Sequence, residues 1–124
     1  MDSSSPKIKI LIVDDEEEIR EFLTTFLKEQ GYETLAAKEG IEALEKIQKE
    51  NPNLILLDLN IPNLSGFEIL DKIKRKEIKI PVLIFSGIAS ANDRQRIMAL
   101  GASGYLNKPI QLDILLEEIK RLTV

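Results

Sequence analysis

The chain has 124 residues, of which 44% are hydrophobic and 31% are charged, a balance typical of one globular domain. It contains no cysteine and no histidine, which excludes disulfide frameworks, cysteine nucleophiles, serine–histidine–aspartate triads and the usual zinc sites. The net charge of −4 and the absence of tryptophan disfavour direct binding to nucleic acid. Chemistry here therefore depends on carboxylates, lysine, hydroxyl groups, backbone groups or a bound metal ion.

The first six residues differ from the rest of the chain. They are polar, and their Ser3–Pro6 run predicts a disordered lead-in (residues 1–6) before a domain over residues 7–124. This start lacks the apolar segment of a signal peptide, and no segment reaches the roughly 20 apolar residues of a transmembrane helix. We therefore expect no membrane insertion and a cytoplasmic location.

Five short apolar runs predict β-strands, and near-continuous apolar runs are typical of strands buried on both faces of a parallel sheet. The second run is weak and the last is short. In chain order the runs are Lys7–Val13, Thr34–Ala37, Leu54–Leu57, Pro81–Phe85 and Gly104–Asn107.

A segment with helical periodicity follows each strand. In the first of these, Gly31 is placed to close the helix in the left-handed conformation. The apolar stripes are Ile19, Phe22, Leu23, Phe26 and Leu27; Ile41, Leu44 and Ile47; Phe67, Leu70 and Ile73; Ile97–Leu100; and Leu112, Leu115, Leu116, Ile119 and Leu122.

Five β–α units predict an α/β fold, a single flavodoxin-like (βα)5 doubly wound sandwich with a parallel sheet in the order 2-1-3-4-5. Ligands of such sheets bind outside the carboxyl ends of the strands. The polar residues that follow the strands should therefore converge there. They are Asp14, Asp15, Asp58, Ser86 and Lys108.

Each of these residues also has an ordinary structural explanation. Asp14 or Asp15 would suit the cap of the first helix, and Asp58 would suit a loop before a turn. Ser86 would suit the start of a turn, and Lys108 a surface position before proline. Their conjunction, however, favours a binding site.

Electrostatic repulsion in such a crevice predicts a divalent cation. Two carboxylates about 4 Å apart repel by roughly 4 kcal/mol at an effective dielectric constant near 20. Because one lysine cannot offset three carboxylates, a metal ion would supply the remaining charge. Oxygen ligands favour Mg²⁺, with Mn²⁺ or Ca²⁺ as alternatives, and a carboxylate beside such an ion can attack phosphorus to give an aspartyl phosphate.

Four motifs make the chain resemble the receiver domain of two-component response regulators. They are Val13–Glu16, Leu57–Gly66, Phe85–Gly87 and Gly101–Pro109, and the resemblance extends from Lys7 to the end of the chain. Each motif is weak alone, but their order and spacing are highly specific.

The resemblance implies that Asp58 accepts a phosphoryl group from a phosphohistidine of a histidine kinase or histidine phosphotransferase. It also implies that Mg²⁺, with Mn²⁺ as an alternative, is ligated by Asp15, Asp58 and the backbone carbonyl of Asn60. Asp14 would act mainly through bound water. On this interpretation the domain is not an enzyme and catalyses only its own phosphorylation and dephosphorylation.

The resemblance also assigns residues around the phosphoryl group. Lys108 would pair with its oxygens, and the Ser86 hydroxyl would bond to one of them. The Lys108–Pro109 peptide bond would be cis. Tyr105 matches an aromatic switch that turns inward as Ser86 moves, although a half-buried aromatic on an edge strand is its ordinary alternative.

Two surfaces are implied by the same resemblance. The fourth helix, fifth strand and fifth helix, roughly residues 92–121, would bind a downstream protein, and the kinase would dock beside residues 17–26. One subgroup of the family dimerises through acidic residues at positions that here hold Ser103, Gly104 and Ile114. We therefore expect a monomer when the protein is unphosphorylated, either as a stand-alone receiver or as part of a larger protein.

Three other functions share the fold or the chemistry. A flavin carrier would need a phosphate-binding loop after the first strand, where Asp14–Glu18 is acidic. A phosphatase with an aspartyl nucleophile would have a second aspartate at the position of Asn60. A degenerate receiver that binds partners without phosphorylation would not need the complete set of polar residues described above.

Overall fold

The computed structural model describes residues 7–87 and 90–123; the lead-in predicted at residues 1–6 lies outside the described residues. Strands and helices alternate along the chain. The strands are β1 (Lys9–Val13), β2 (Glu33–Ala37), β3 (Leu54–Asp58), β4 (Val82–Ser86) and β5 (Gly104–Asn107). The helices are α1 (Glu17–Glu29), α2 (Gly40–Glu50), α3 (Gly66–Arg75), α4 (Ala91–Ala99) and α5 (Leu112–Thr123).

The strands form one parallel sheet in the predicted order β2-β1-β3-β4-β5. Its register brings the carboxyl ends of neighbouring strands to the same level. Asp58 at the end of β3 is opposite Phe85, and Ser86 at the end of β4 is opposite Asn107. The alignment places the residues that follow β1, β3, β4 and β5 along one edge of the sheet.

Two hydrophobic clusters, one on each face of the sheet, form the core. Because successive side chains of a strand point to opposite faces, Leu11 and Val13 of β1 enter one cluster while Ile10 and Ile12 enter the other. The central strands β3 and β4 are buried along their full lengths, as their apolar runs predict. The edge strands β2 and β5 are only partly buried, which explains their weaker sequence signals.

The predicted helices are all present, but some apolar positions of the predicted stripes face outwards. Phe22 on α1 and Ile41 on α2 are 55% and 51% exposed. Each of these residues lies at the margin of its stripe, where the helix surface curves away from the sheet. Gly31 has a φ of 95° after α1, as expected for a residue that closes a helix in the left-handed conformation.

None of the helices among residues 7–87 and 90–123 combines the length and apolar character needed to cross a membrane.

Candidate functional site

Among residues 7–87 and 90–123, three polar side chains are buried at the carboxyl edge of the sheet. Asp14 and Ser86 are inaccessible to solvent, and Asp58 retains 4% exposure. Each follows or ends a strand whose apolar residues fill both faces of the core, so the packing of β1, β3 and β4 fixes where these side chains lie. Burial of two carboxylates at one edge requires compensation by a cation.

Lys108 supplies that cation. Its Nζ donates to Asp14 Oδ2 at 2.9 Å and to Asp58 Oδ2 at 3.1 Å, and it lies 3.6 Å from Glu16 Oε1. The Lys108 side chain retains 18% exposure, so the ammonium lies between the core and the solvent. A single cation therefore contacts three carboxylates, and the convergence of strand ends predicted for Asp14, Asp58 and Lys108 is confirmed.

The backbone around Lys108 is held at the end of β4. The Lys108 N–H donates to the Ser86 carbonyl at 2.9 Å. The peptide bond between Lys108 and Pro109 is cis, as predicted. Ser86 is therefore paired with Asn107 in the sheet and hydrogen-bonded to Lys108, the residue that follows Asn107.

Burial raises the pKa of Asp58, because desolvation disfavours the charged carboxylate more than its hydrogen bonds favour it. Those bonds come from Lys108 Nζ to Oδ2 and from the Asn60 N–H to Oδ1 at 3.2 Å. Burial alone would lower the pKa of Lys108, but the hydrogen bonds to Asp14 and Asp58 outweigh it, and the pKa is raised. Lys108 is therefore protonated at neutral pH.

Asp14 has both carboxylate oxygens engaged within the protein. Oδ1 accepts from the Glu16 N–H at 2.7 Å, and Oδ2 accepts from Lys108. The Arg20 guanidinium donates to the Asp14 backbone carbonyl at 2.8 Å. The residue that caps α1 is Glu16, which makes no side-chain cap hydrogen bond, so the alternative role of Asp14 or Asp15 as the helix cap is wrong.

The acidic groups beside Asp58 offer oxygen ligands for a divalent cation. One carboxylate oxygen from each of Asp14, Asp15 and Glu16 lies within 4.8 Å of the others. A cleft of about 430 Å³ adjoins this cluster, and it is lined by Asp15, Glu16, Asp58, Asn60, Gly87 and Lys108. Hard oxygen donors in an accessible cleft suit Mg²⁺, which usually retains several water ligands.

Sequence reasoning gave no role to two residues of this site. Glu16 faces Lys108 and the cleft, and Arg20 binds the Asp14 carbonyl. Glu16 belongs to the Val13–Glu16 motif, so its position directly after two aspartates could have indicated a role in the site. No sequence signal indicated the role of Arg20, because its contact forms only when the start of α1 packs beside the end of β1.

Tyr105 lies on β5 at the edge of the site. It is half-buried, and its hydroxyl points towards the Ser86 carbonyl at 3.5 Å. The guanidinium of Arg94 lies 4.8 Å from the centroid of the Tyr105 ring. This position is compatible with either role of Tyr105, the aromatic switch or an ordinary aromatic residue on an edge strand. The switch therefore remains a prediction.

Comparison with known proteins gives consistent matches. The family model described as response regulator receiver domain matches residues 10–120. Response regulator RR06 of Streptococcus pneumoniae is 41% identical over 115 residues, which cover 93% of this chain and 52% of that protein. Sporulation initiation phosphotransferase F of Bacillus subtilis is 37% identical over 113 residues, which cover 91% of each chain.

Solved structures show the same similarity. The receiver domain of the Francisella response regulator 1452 has a TM-score of 0.89 at 32% identity and covers 94% of this chain and 97% of that one. Vibrio cholerae chemotaxis protein CheY4 has a TM-score of 0.88 at 34% identity, and the match covers 94% of this chain and 99% of that one. The chain spans about half the length of several curated relatives that it matches, with coverage of 52%, 42%, 42% and 43% of four of them.

Proposed function

The chain belongs to the response regulator receiver domain family of two-component signalling, and we propose that Asp58 is its phospho-acceptor. The observation that carries this proposal is the buried Asp58 carboxylate, which lies at the edge of the cleft with the Lys108 ammonium 3.1 Å from one of its oxygens. Receiver domains are signalling domains, and the reaction proposed here is the modification of the domain itself.

The transfer step requires an ionised Asp58. A carboxylate oxygen attacks the phosphorus of a phosphohistidine, and the bond between phosphorus and the imidazole nitrogen breaks. The nitrogen keeps the electron pair of that bond and takes up a proton from solvent. Lys108 already contacts Asp58 Oδ2, so its ammonium lies within reach of the negative charge as it passes from the carboxylate to the phosphoryl oxygens.

The oxygen donors around the cleft fit a resident Mg²⁺ ion. Asp15, Asp58 and the backbone carbonyl of Asn60 would hold it, with Asp14 acting through water; Mn²⁺ would suit the same donors. The full engagement of both Asp14 oxygens supports this indirect role. When bound, the ion supplies positive charge that stabilises the transferring phosphoryl group.

The same proposal gives Ser86 and Tyr105 the role of a switch. Ser86 is buried and directly follows Phe85, the residue opposite Asp58 in the sheet, which supports a role for its hydroxyl in binding a phosphoryl oxygen. A phosphoryl group shifts a conformational equilibrium only through contacts made better in one state, and Ser86 and Lys108 would make those contacts. Helix α4, strand β5 and helix α5 would carry the change to a downstream protein.

The histidine-bearing partner would dock beside α1. An apolar groove of about 460 Å³ runs between α1 and the segment after β5, next to Lys108. Its lining includes Ile19, Phe22 and Pro109, and the exposed Phe22 ring is stacked on Phe26 with centroids 6.4 Å apart. The relative named sporulation initiation phosphotransferase F, similar along 91% of both chains, supports a place for this chain in a phosphorelay.

The contacts of Arg121 on α5 agree with the proposed monomeric state of the unphosphorylated protein. Arg121 Nη2 donates to the Ser103 carbonyl at 3.1 Å and to Glu118 Oε1 at 2.6 Å. The guanidinium is therefore engaged within its own chain, beside the positions where one subgroup of the family carries its acidic dimer contacts.

The proposal is tested by intact mass after incubation with phosphoramidate, with and without Mg²⁺. We expect a single phosphoryl adduct that requires Mg²⁺ and is absent in Asp58→Asn. Asp113→Asn, which changes an exposed aspartate of α5 that does not line the cleft, serves as the matched control and should be labelled like the wild type. An adduct that persists in Asp58→Asn, or no adduct on the wild type under any condition, would contradict the assignment.

A further inference from the structure

Helix α4 buries less apolar surface than the helix before it. Ile97 is the one buried side chain of α4, whereas Ile69, Leu70 and Ile73 of α3 all lie in the core. Packing of apolar side chains usually supplies most of the free energy that docks a helix. The position of α4 therefore depends on other contacts.

Two arginines of α4 provide such contacts, one towards each neighbouring element. The Arg94 guanidinium lies 4.8 Å from the centroid of the Tyr105 ring on β5, and the Arg96 guanidinium lies 4.1 Å from that of Phe67 on α3. A guanidinium over an aromatic ring is attracted by the negative face of the ring. Arg94 also donates to Asn107 Oδ1 at 3.3 Å, so it contacts β5 twice.

The Arg94 contacts lie directly beside the phospho-acceptor site. Tyr105 and Asn107 are two residues apart and therefore share one face of β5, and Asn107 pairs with Ser86 in the sheet. The Tyr105 hydroxyl is 3.5 Å from the Ser86 carbonyl, well beyond the roughly 2.7–2.8 Å of a typical O–H···O bond. Because that contact is long, the position of the ring depends also on its packing against the core and on the Arg94 guanidinium.

We propose that Arg94 is a positioning residue that keeps the Tyr105 hydroxyl at the Ser86 carbonyl and so couples α4 to the phospho-acceptor site. The inference rests on the proposed function, because it takes Ser86 as a ligand of the phosphoryl group. The Ser86 carbonyl also accepts the Lys108 N–H at 2.9 Å. Displacement of Tyr105 therefore disturbs the backbone that carries both Ser86 and Lys108, and a shift of α4 acts on the site by the same route.

Three variants distinguish a role of Arg94 in positioning Tyr105 from a role in merely docking α4 onto the rest of the domain. Arg94→Met keeps an unbranched apolar chain but removes the guanidinium, and Arg94→Lys keeps the charge without the planar donor group. Arg96→Met is the matched control, because it removes the corresponding contact of the same helix on the Phe67 side.

Two measurements are made on each protein. The chain has two tyrosines and no tryptophan, so in a Tyr32→Phe background the tyrosine band in near-UV circular dichroism reports Tyr105. The second measurement is the rate of Asp58 phosphorylation by phosphoramidate with Mg²⁺, followed by intact mass. Far-UV circular dichroism confirms that every variant is folded.

We expect Arg94→Met to weaken the tyrosine band and to slow phosphorylation by about two- to fivefold, as the loss of an exposed guanidinium–ring contact implies. Arg94→Lys should be intermediate, and Arg96→Met should leave both readouts unchanged. An unchanged rate in Arg94→Met, or an equal loss in Arg96→Met, would overturn the inference. If the wild type itself is not phosphorylated, the proposed function fails, and an unchanged tyrosine band in Arg94→Met would separately overturn the positioning of Tyr105.

Discussion

The Lys108 ammonium lies 3.1 Å from Asp58 Oδ2, so the cation proposed to bind the phosphoryl group already contacts the proposed acceptor. The same ammonium lies 2.9 Å from Asp14 Oδ2. Before phosphorylation it thus offsets the repulsion between two buried carboxylates. Phosphorylation would convert the Asp58 carboxylate into an acyl phosphate, and the ammonium would then pair with the phosphoryl oxygens and with Asp14. Lys108 consequently has a role in stability as well as in chemistry, and the two roles can be measured separately.

Replacement of Lys108 by methionine is expected to lower the free energy of unfolding by roughly 3 kcal/mol, because it leaves two buried carboxylates without their cation. Methionine keeps an apolar stem of similar length, so the loss reflects the charge. Urea unfolding at neutral pH measures the change, with the exposed Lys72→Met as the matched control. A loss no larger than that of Lys72→Met would show that Lys108 does not offset the buried charges.

Replacement of Asp58 by asparagine is expected to stabilise the protein at neutral pH. Burial raises the pKa of Asp58 above its ordinary value of 3.8. An acid with a raised pKa in the folded state contributes stability below its unfolded pKa, and this contribution is lost as the pH rises through the folded value. The wild type should therefore lose stability relative to Asp58→Asn as the pH rises from about 4 towards 7.

Urea unfolding of the wild type and of Asp58→Asn across this pH range tests the prediction. The difference between them should grow with pH and become constant once Asp58 is fully ionised. If the difference were independent of pH, or if Asp58→Asn were the less stable protein throughout, the Asp58 carboxylate would be well accommodated in its ionised form.

The strand ends were the part of the site that sequence could predict. Buried parallel strands leave a strong apolar signal, and the residue after each strand is then fixed at one edge of the sheet. Asp14, Asp58 and Lys108 meet there as expected. The pattern could not show that Lys108 bridges two carboxylates, because that contact depends on side-chain conformations set by the burial of their neighbours.

Helix surfaces were predicted less well, and for a physical reason. An apolar stripe indicates which side of a helix faces the core but not where contact with the sheet ends, so the exposure of Phe22 and Ile41 was not foreseen. The contacts made by long side chains could not be predicted from the sequence either. Arg20 on the Asp14 carbonyl and Arg94 on the Tyr105 ring join elements whose separation only the folded chain defines.

Addition of Mg²⁺ is expected to stabilise the wild type, because an ion that binds only the folded state shifts the unfolding equilibrium. The gain is about 2.7 kcal/mol when free Mg²⁺ is 100 times the dissociation constant, and chelation with EDTA should reverse it. Thermal unfolding measures the effect. Asp15→Asn should remove it, since Asp15 lines the cleft.

Glu17→Gln is the matched control for the Mg²⁺ effect, because this acidic residue of α1 is exposed and does not line the cleft beside Asp58. It should respond to Mg²⁺ as the wild type does. Glu16→Gln tests whether the neighbouring carboxylate also contributes, in which case the midpoint of the titration moves to a higher Mg²⁺ concentration. Equal shifts in the wild type and in Asp15→Asn would exclude Asp15 as a ligand.

Gly66 at the start of α3 lies where the backbone beside the acceptor leaves no room for a side chain. A Cβ at this position would be 2.8 Å from Leu59 Cα and 3.0 Å from the Asp58 carbonyl oxygen. Because both are backbone atoms, relief requires movement of the backbone where Asp58 ends β3 and Leu59 begins the following loop. We expect Gly66→Ala to lower the free energy of unfolding by about 2 kcal/mol and to slow phosphorylation.

Gly87→Ala is the matched control for stability, since a Cβ at Gly87 meets no atom of the described residues within 4 Å. Urea unfolding should show little change in Gly87→Ala and a clear loss in Gly66→Ala. Intact mass after phosphoramidate treatment then separates the two consequences of the Gly66 substitution. A variant that is less stable but is phosphorylated at the wild-type rate would show that the start of α3 supports the fold without positioning Asp58.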